Sequence, residues 1–135
     1  MLILDTKEVT KRFGGLTAVN QVSMQVEEGQ VYGLIGPNGA GKSTFINSIV
    51  GRFPPTEGVV YFNGEETTGL SAEIMCHKGM ARTFQIPRPF PQLTVLENVK
   101  VGVIFGSVDK DPMPADERAR EILKFVDFNL PIDTP

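Results

Sequence analysis

Gly36-Pro37-Asn38-Gly39-Ala40-Gly41-Lys42-Ser43 is the stretch whose reading decides this chain. It satisfies G-x-x-x-x-G-K-[ST], the pattern of a loop that wraps a polyphosphate. Such a loop needs glycines because its backbone N–H groups must approach phosphate oxygens closely, which a Cβ would obstruct. Lys42 supplies a mobile positive charge for the outer phosphates. Ser43 offers a hydroxyl oxygen to Mg²⁺, a cation that takes hard oxygen ligands.

Eight residues match such a pattern by chance often enough that the flanks must carry the claim. Before the loop, Val31-Tyr32-Gly33-Leu34-Ile35 is nearly all apolar and predicts a short strand buried on both faces. After it, Phe45, Ile46, Ile49 and Val50 recur at helical spacing, and Gly51 marks the stop. Strand, loop and helix in that order aim the loop at the positive end of a helix dipole, where an anion is favoured. A glycine-rich turn with an idle lysine would not need this context, so the segment reads as a nucleotide site.

Outward from the loop, residues 2–9 predict a strand, followed by Lys11-Arg12, Phe13 and a Gly14-Gly15 turn. Val22, Met24 and Val26 alternate with polar neighbours, the period of a half-buried antiparallel strand. Residues 59–62 predict another strand ending in Asn63-Gly64, a tight-turn dipeptide, and Glu65-Glu66 reads as a solvated turn. A short helix is expected over 72–79 and a short strand over 81–84. Thr94-Val95-Leu96-Glu97 has capping-box form, so a helix should start there. Residues 106–114 read as a loop. Ala115, Ala119, Ile122, Leu123 and Val126 then mark one face of a last helix, with Asp116 and Arg120 an i,i+4 pair. The chain is strand-rich before Gln85 and proline-rich, then helical, after it. Residues 1–85 and 86–135 are therefore read as two parts of an α/β fold.

Composition narrows the function. The 135 residues carry 13 Lys plus Arg against 16 Asp plus Glu, a formal charge of −3. That argues against a general nucleic-acid binder, which needs a basic face to displace phosphate counterions. One cysteine, Cys76, excludes an internal disulfide or a multi-cysteine metal site and reads as an inert buried thiol. His77, the single histidine, has no cluster of ligating neighbours in sequence beyond Cys76. No apolar run nears the ~18 residues of a membrane span. The short run at residues 2–4 lacks the basic lead of an export signal. A soluble protein in the reducing cytoplasm is the expectation.

Two common classes of phosphate-loop protein fit poorly. There is no N-K-x-D and no D-x-x-G for a GTPase. A nucleoside kinase starts its loop near the N-terminus, whereas some thirty-five residues precede this one.

Lys11-Arg12-Phe13-Gly14-Gly15-Leu16-Thr17-Ala18-Val19, the loop through Thr44, and Ala81-Arg82-Thr83-Phe84-Gln85 occur in order. Together they resemble the N-terminal portion of an ABC transporter ATP-binding subunit. Arg-Phe-Gly-Gly-Leu, Ala-Arg-Thr-Phe-Gln and Leu-Thr-Val-Leu-Glu-Asn resemble the subunits that power branched-chain amino acid uptake. The resemblance covers most of the chain and is weakest over 103–135. It implies a P-loop NTPase fold with an antiparallel β subdomain, a mixed core sheet and the start of a helical subdomain.

The resemblance also implies roles. Phe13 would stack on adenine, with Val19 on the same wall or simply in the core. Gly36, Pro37, Asn38, Gly39, Ala40, Gly41, Lys42, Ser43 and Thr44 would hold the phosphates of ATP. Ser43 and Gln85 would attend Mg²⁺, and Gln85, with Lys42, would serve the chemistry. Residues 85–100, with Pro87, Pro89, Pro91, Phe90 and Leu93, would receive a membrane permease. A second ATP-binding subunit would pair head to tail, and a periplasmic or extracellular solute-binding protein would act further upstream. The whole would sit on the cytoplasmic face of the plasma membrane.

Phosphoryl transfer also needs a carboxylate or its equivalent to orient water. The family's Asp-Glu, its Ser-Gly-Gly-Gln-type motif and its switch histidine are not among these residues, so the chain reads as the N-terminal portion of a longer ATPase. The rival readings are a stand-alone, non-catalytic nucleotide-binding module and another P-loop ATPase, such as a DNA-repair enzyme with a long coil after residue 85.

Overall fold

The computed structural model describes residues 1–106 and 112–134. The expected loop at 106–114 lies mostly outside these. Two compact units are present, Met1–Met75 and Cys76–Pro135.

The first unit is built on a long hairpin. Strand β1 (Leu2–Phe13) pairs antiparallel with β2 (Leu16–Glu27), joined through Gly14-Gly15 with Phe13 opposite Leu16. On its other side β1 pairs antiparallel with β3 (Glu57–Phe62), which turns at Asn63-Gly64 into the two-residue β4 (Glu65–Glu66). The sheet order is β2-β1-β3-β4. Asn63 and Gly64 both have positive φ, 52° and 78°, as a type I′ turn requires. Glu65 and Glu66 therefore form a short edge strand opposite Phe62 and Tyr61, where a plain turn was expected.

Val22, Met24 and Val26 are half-buried while Ser23, Gln25 and Glu27 are exposed, so the period-two reading holds. Irregularities in β1 and β2 are satisfied from within. The hydroxyl of buried Thr6 accepts from the Met24 N–H at 2.9 Å, and that of buried Thr10 from the Gln21 N–H at 2.9 Å. Helix α1 (Lys42–Ile49) packs on β1 and β2, burying Phe45, Ser48 and Ile49. It ends at Val50, and Gly51 follows with φ 78°.

The two expected core strands are not formed. Residues 31–35 and 81–84 join no sheet, and Val31 and Ile35 are 98% and 94% exposed. A strand buried on both faces is held by hydrogen-bonded neighbours on its edges. Among the described residues neither segment has such a neighbour. Among the described residues the strands form the antiparallel sheet alone, and the expected mixed core sheet is not seen there.

Helix α2 (Ala72–His77) is shorter than expected and buries Met75. In the second unit, α3 (Val95–Phe105) packs against α4 (Ala115–Phe125). Leu96, Ala119 and Leu123 form the centre, with Val95, Val99, Val103, Phe128 and Ile132 around it. Thr94 closes the expected capping box with Glu97. The incoming tail caps the same end, since Val95 and Leu96 N–H donate to the Thr134 and Ile132 carbonyls at 3.0 and 2.9 Å. Asp116 pairs with Arg120 at 2.9 Å, as read, and also with Lys100 of α3 at 3.1 Å. Val126 was assigned to the packed face but lies past the helix end, 59% exposed. Cys76 is half-buried, its thiol 4.0 Å from the Phe105 carbonyl oxygen, so the fully buried thiol is corrected too. No helix among the described residues is long and apolar enough to cross a membrane.

Candidate functional site: a phosphate loop beside an exposed aromatic

The loop enters α1 through Gly41, which occupies the N-cap in the left-handed region, φ 84° and ψ 3°. A methyl group on its Cα would sit 2.1 Å from the Ala18 carbonyl oxygen, so both conformation and space demand glycine. Val19, 5% exposed, backs the same glycine.

The first backbone bond of the ladder is Phe45 N–H to the Gly41 carbonyl, 2.8 Å. The amides of Lys42, Ser43 and Thr44 precede that ladder and are the orphan donors of a helix N-terminus. No side chain caps them, and α1 has no acidic residue in its first turn to neutralise its positive end. Behind them the Lys42 ammonium donates to the Gly36 and Pro37 carbonyls, the latter at 2.7 Å. It is thereby stored within its own loop, within reach of the mouth.

The loop and the hairpin share one cleft of about 450 Å³. Residues 38–44 form one wall, and Phe13, Leu16, Thr17 and Ala18 the other. Phe13 is 46% exposed at the tip of β1, with its ring edge-on to Phe53 at 5.3 Å between centroids. This arrangement fits the group expected: an aromatic plane for a base, then a row of amides and a lysine for phosphates, with the Ser43 hydroxyl beside them.

Of the residues singled out in the sequence, the structure brings together Phe13 and residues 38–44. Gly36 and Pro37 contribute through their carbonyls to Lys42. Val19 lines a neighbouring hollow of about 440 Å³ with Val22, Leu34, Ile35 and Phe45. Gln85 belongs to the second unit and is exposed on irregular backbone. In that unit Phe84, Ile86 and Phe90 are 59%, 73% and 55% exposed. Asn98 pins the proline-rich segment: its amide accepts from the Phe90 N–H at 2.8 Å and donates to the Phe90 carbonyl at 3.1 Å. Sequence reasoning missed Asn98, Phe53 and the lining role of Leu16 and Thr17. The signal for Asn98 was its place four residues after the N-cap Thr94, facing back along the helix. A larger hollow of about 690 Å³ runs along α4, lined by Arg118, Glu121, Ile122, Lys124 and Phe125. Among the described residues its lining comes from one helix.

Residues 19–135 match the family described as ABC transporter. The chain belongs to that family. The high-affinity branched-chain amino acid transport ATP-binding protein BraF of Pseudomonas aeruginosa is 48% identical over 99 residues, 73% of this chain and 39% of that one. An ATP-binding cassette of an ABC transporter, solved in its ADP conformation, superposes with a TM-score of 0.81 at 37% identity, covering 98% of this chain and 57% of its own. A bacterial ABC transporter cassette solved as a dimer superposes with a TM-score of 0.82 at 30% identity, covering 98% and 60%. This ABC-family chain thus has the P-loop NTPase fold over part of a cassette, and it spans about half the length of the relatives it matches.

Proposed function

We propose that this chain is the nucleotide-gripping portion of an ATP-binding subunit that couples ATP binding and hydrolysis to solute import, with branched-chain amino acids as the solutes. The cleft shared by Phe13 and residues 38–44 carries the reading. Its two walls suit the two ends of a nucleoside triphosphate, one flat and apolar, the other rich in N–H donors. The relative named for branched-chain amino acid transport supports the choice of solute.

In this reading Phe13 holds adenine, and Lys42 leaves its carbonyl partners to meet the outer phosphates. The amides of residues 42–44 stabilise negative charge without any rearrangement of side chains. Mg²⁺, once bound, supplies further charge neutralisation on the phosphates, and Ser43 is the hydroxyl placed to ligate it. Gln85 is the proposed link between nucleotide and permease. The functional division falls at residue 85, with 85–100 facing the permease on the cytoplasmic side of the membrane. A second cassette is proposed to close over the bound ATP, as the dimeric relative suggests.

Calorimetric titration with Mg·ATP tests the site, with saturable binding displaced by ADP expected; no binding by folded protein would overturn it. Uptake of labelled leucine by a strain deleted for the gene tests the solute, and unchanged uptake would overturn that part alone.

A further inference from the structure

We propose that Phe53 is a positioning residue for the nucleotide base: it sets the orientation of the Phe13 ring, with Lys11 clamping the pair. The inference rests on the reading that Phe13 stacks on adenine and adds the residues that decide how well it does so.

Phe13 stands at the tip of a two-residue hairpin, a place where a half-exposed side chain has rotational freedom. Here that freedom is restricted from one side. The Phe53 ring meets Phe13 edge to face, 5.3 Å between centroids and 85° between planes. This is a preferred geometry for two aromatic quadrupoles. The Lys11 ammonium lies 5.2 Å from the Phe13 centroid and 4.9 Å from that of Phe53, and donates to the Pro54 carbonyl at 2.6 Å. One cation therefore ties both rings and the backbone after Phe53 together.

The backbone that carries Phe53 is itself fastened to the end of β1. Thr56 N–H donates to the Thr10 carbonyl at 2.7 Å, and Arg12 N–H to the Thr56 hydroxyl at 3.0 Å. Arg12 and Glu57 close the same seam with an ion pair. Phe53 follows the helix that starts at the phosphate loop, so the segment joins both ends of the cleft: α1 sets the phosphate end, and Phe53 sets the plane at the base end. Phe53 does not line the cleft. Its effect on a ligand must pass through Phe13.

The test compares Mg·ATP with Mg·tripolyphosphate, which has no base, by calorimetry on the full chain. Phe53→Leu keeps apolar volume and removes the ring. Its Kd for Mg·ATP is expected to rise about fivefold, the size of an edge-to-face contribution, with tripolyphosphate unchanged. Phe53→Tyr keeps the ring and should restore wild-type ATP affinity. A merely structural Phe53 would move both ligands together, or neither, and either result overturns the proposal. Phe13→Ala separates the two readings. Should it shift the ATP-to-tripolyphosphate ratio while Phe53→Leu does not, only the positioning role fails. Should Phe13→Ala leave the ratio unchanged, the adenine reading fails and this one with it.

Discussion

The Lys42 ammonium donates to the carbonyl oxygen of Pro37, 2.7 Å away and five residues back along the same loop. The side chain thus folds over its own loop, and in the proposed site it would exchange these carbonyl oxygens for phosphate oxygens. That exchange is favoured because a charged acceptor makes a stronger hydrogen bond than a neutral one.

Lys42→Ala should therefore weaken Mg·ATP binding by about ten- to a hundredfold, the range for losing a hydrogen bond between charged groups. Calorimetric titration against wild type measures it. Equal affinity in the two proteins would remove the loop from the nucleotide site.

Gly41 and Gly39 share φ 84° but differ in their surroundings. Gly39→Ala meets open space and should cost only the left-handed strain, about 1–2 kcal/mol. Gly41→Ala adds a collision with the Ala18 carbonyl oxygen and should cost more, with loss of the cleft. Urea unfolding of both variants gives the difference, and a Gly41→Ala protein no less stable than Gly39→Ala would contradict the close approach of β2.

Thr94 caps α3 by accepting from the Glu97 N–H at 3.2 Å. Thr94→Ala should lower the stability of the helical unit by about 1 kcal/mol. Thermal unfolding followed by circular dichroism at 222 nm reads this directly.

Glu97 returns the bond, accepting from the Thr94 N–H at 2.8 Å. That backbone bond, then the Thr94 hydroxyl, holds the Glu97 carboxyl below the ordinary glutamate range. A carboxyl with a depressed folded-state pKa stabilises the fold fully above its unfolded value. The contribution is lost as pH falls from there through the lowered folded value. The same holds for Asp116, kept low first by Arg120 and then by Lys100. Unfolding midpoints should accordingly fall on acidification through the carboxylate range and stay level above it. Glu97→Gln, which still caps, should flatten part of that slope; a slope unchanged in this variant would place the dependence elsewhere.

Much of the site was legible because it is local. The loop, its helix and the hairpin turns rest on neighbours a few residues apart: glycines for left-handed backbone, Thr94 with Glu97, Asn63 with Gly64. Residues 31–35 show where such reading fails. Their apolar run is indistinguishable from a buried strand, yet a strand exists only when another chain segment pairs with it.

Sequence alone determined the phosphate-loop pattern and the family, since each depends on residue type at fixed spacing, and the family resemblance in turn pointed to Phe13 as the candidate for stacking on a base. Tertiary structure decided that Phe13 shares a cleft with residues 38–44, that Phe53 and Lys11 lie against its ring, and that Gly41 must admit the Ala18 carbonyl. Apart from Lys11, two positions before Phe13, those contacts join residues some 20 to 40 positions apart, and their distances are set by strand register and by helix packing on the sheet, which no local pattern encodes.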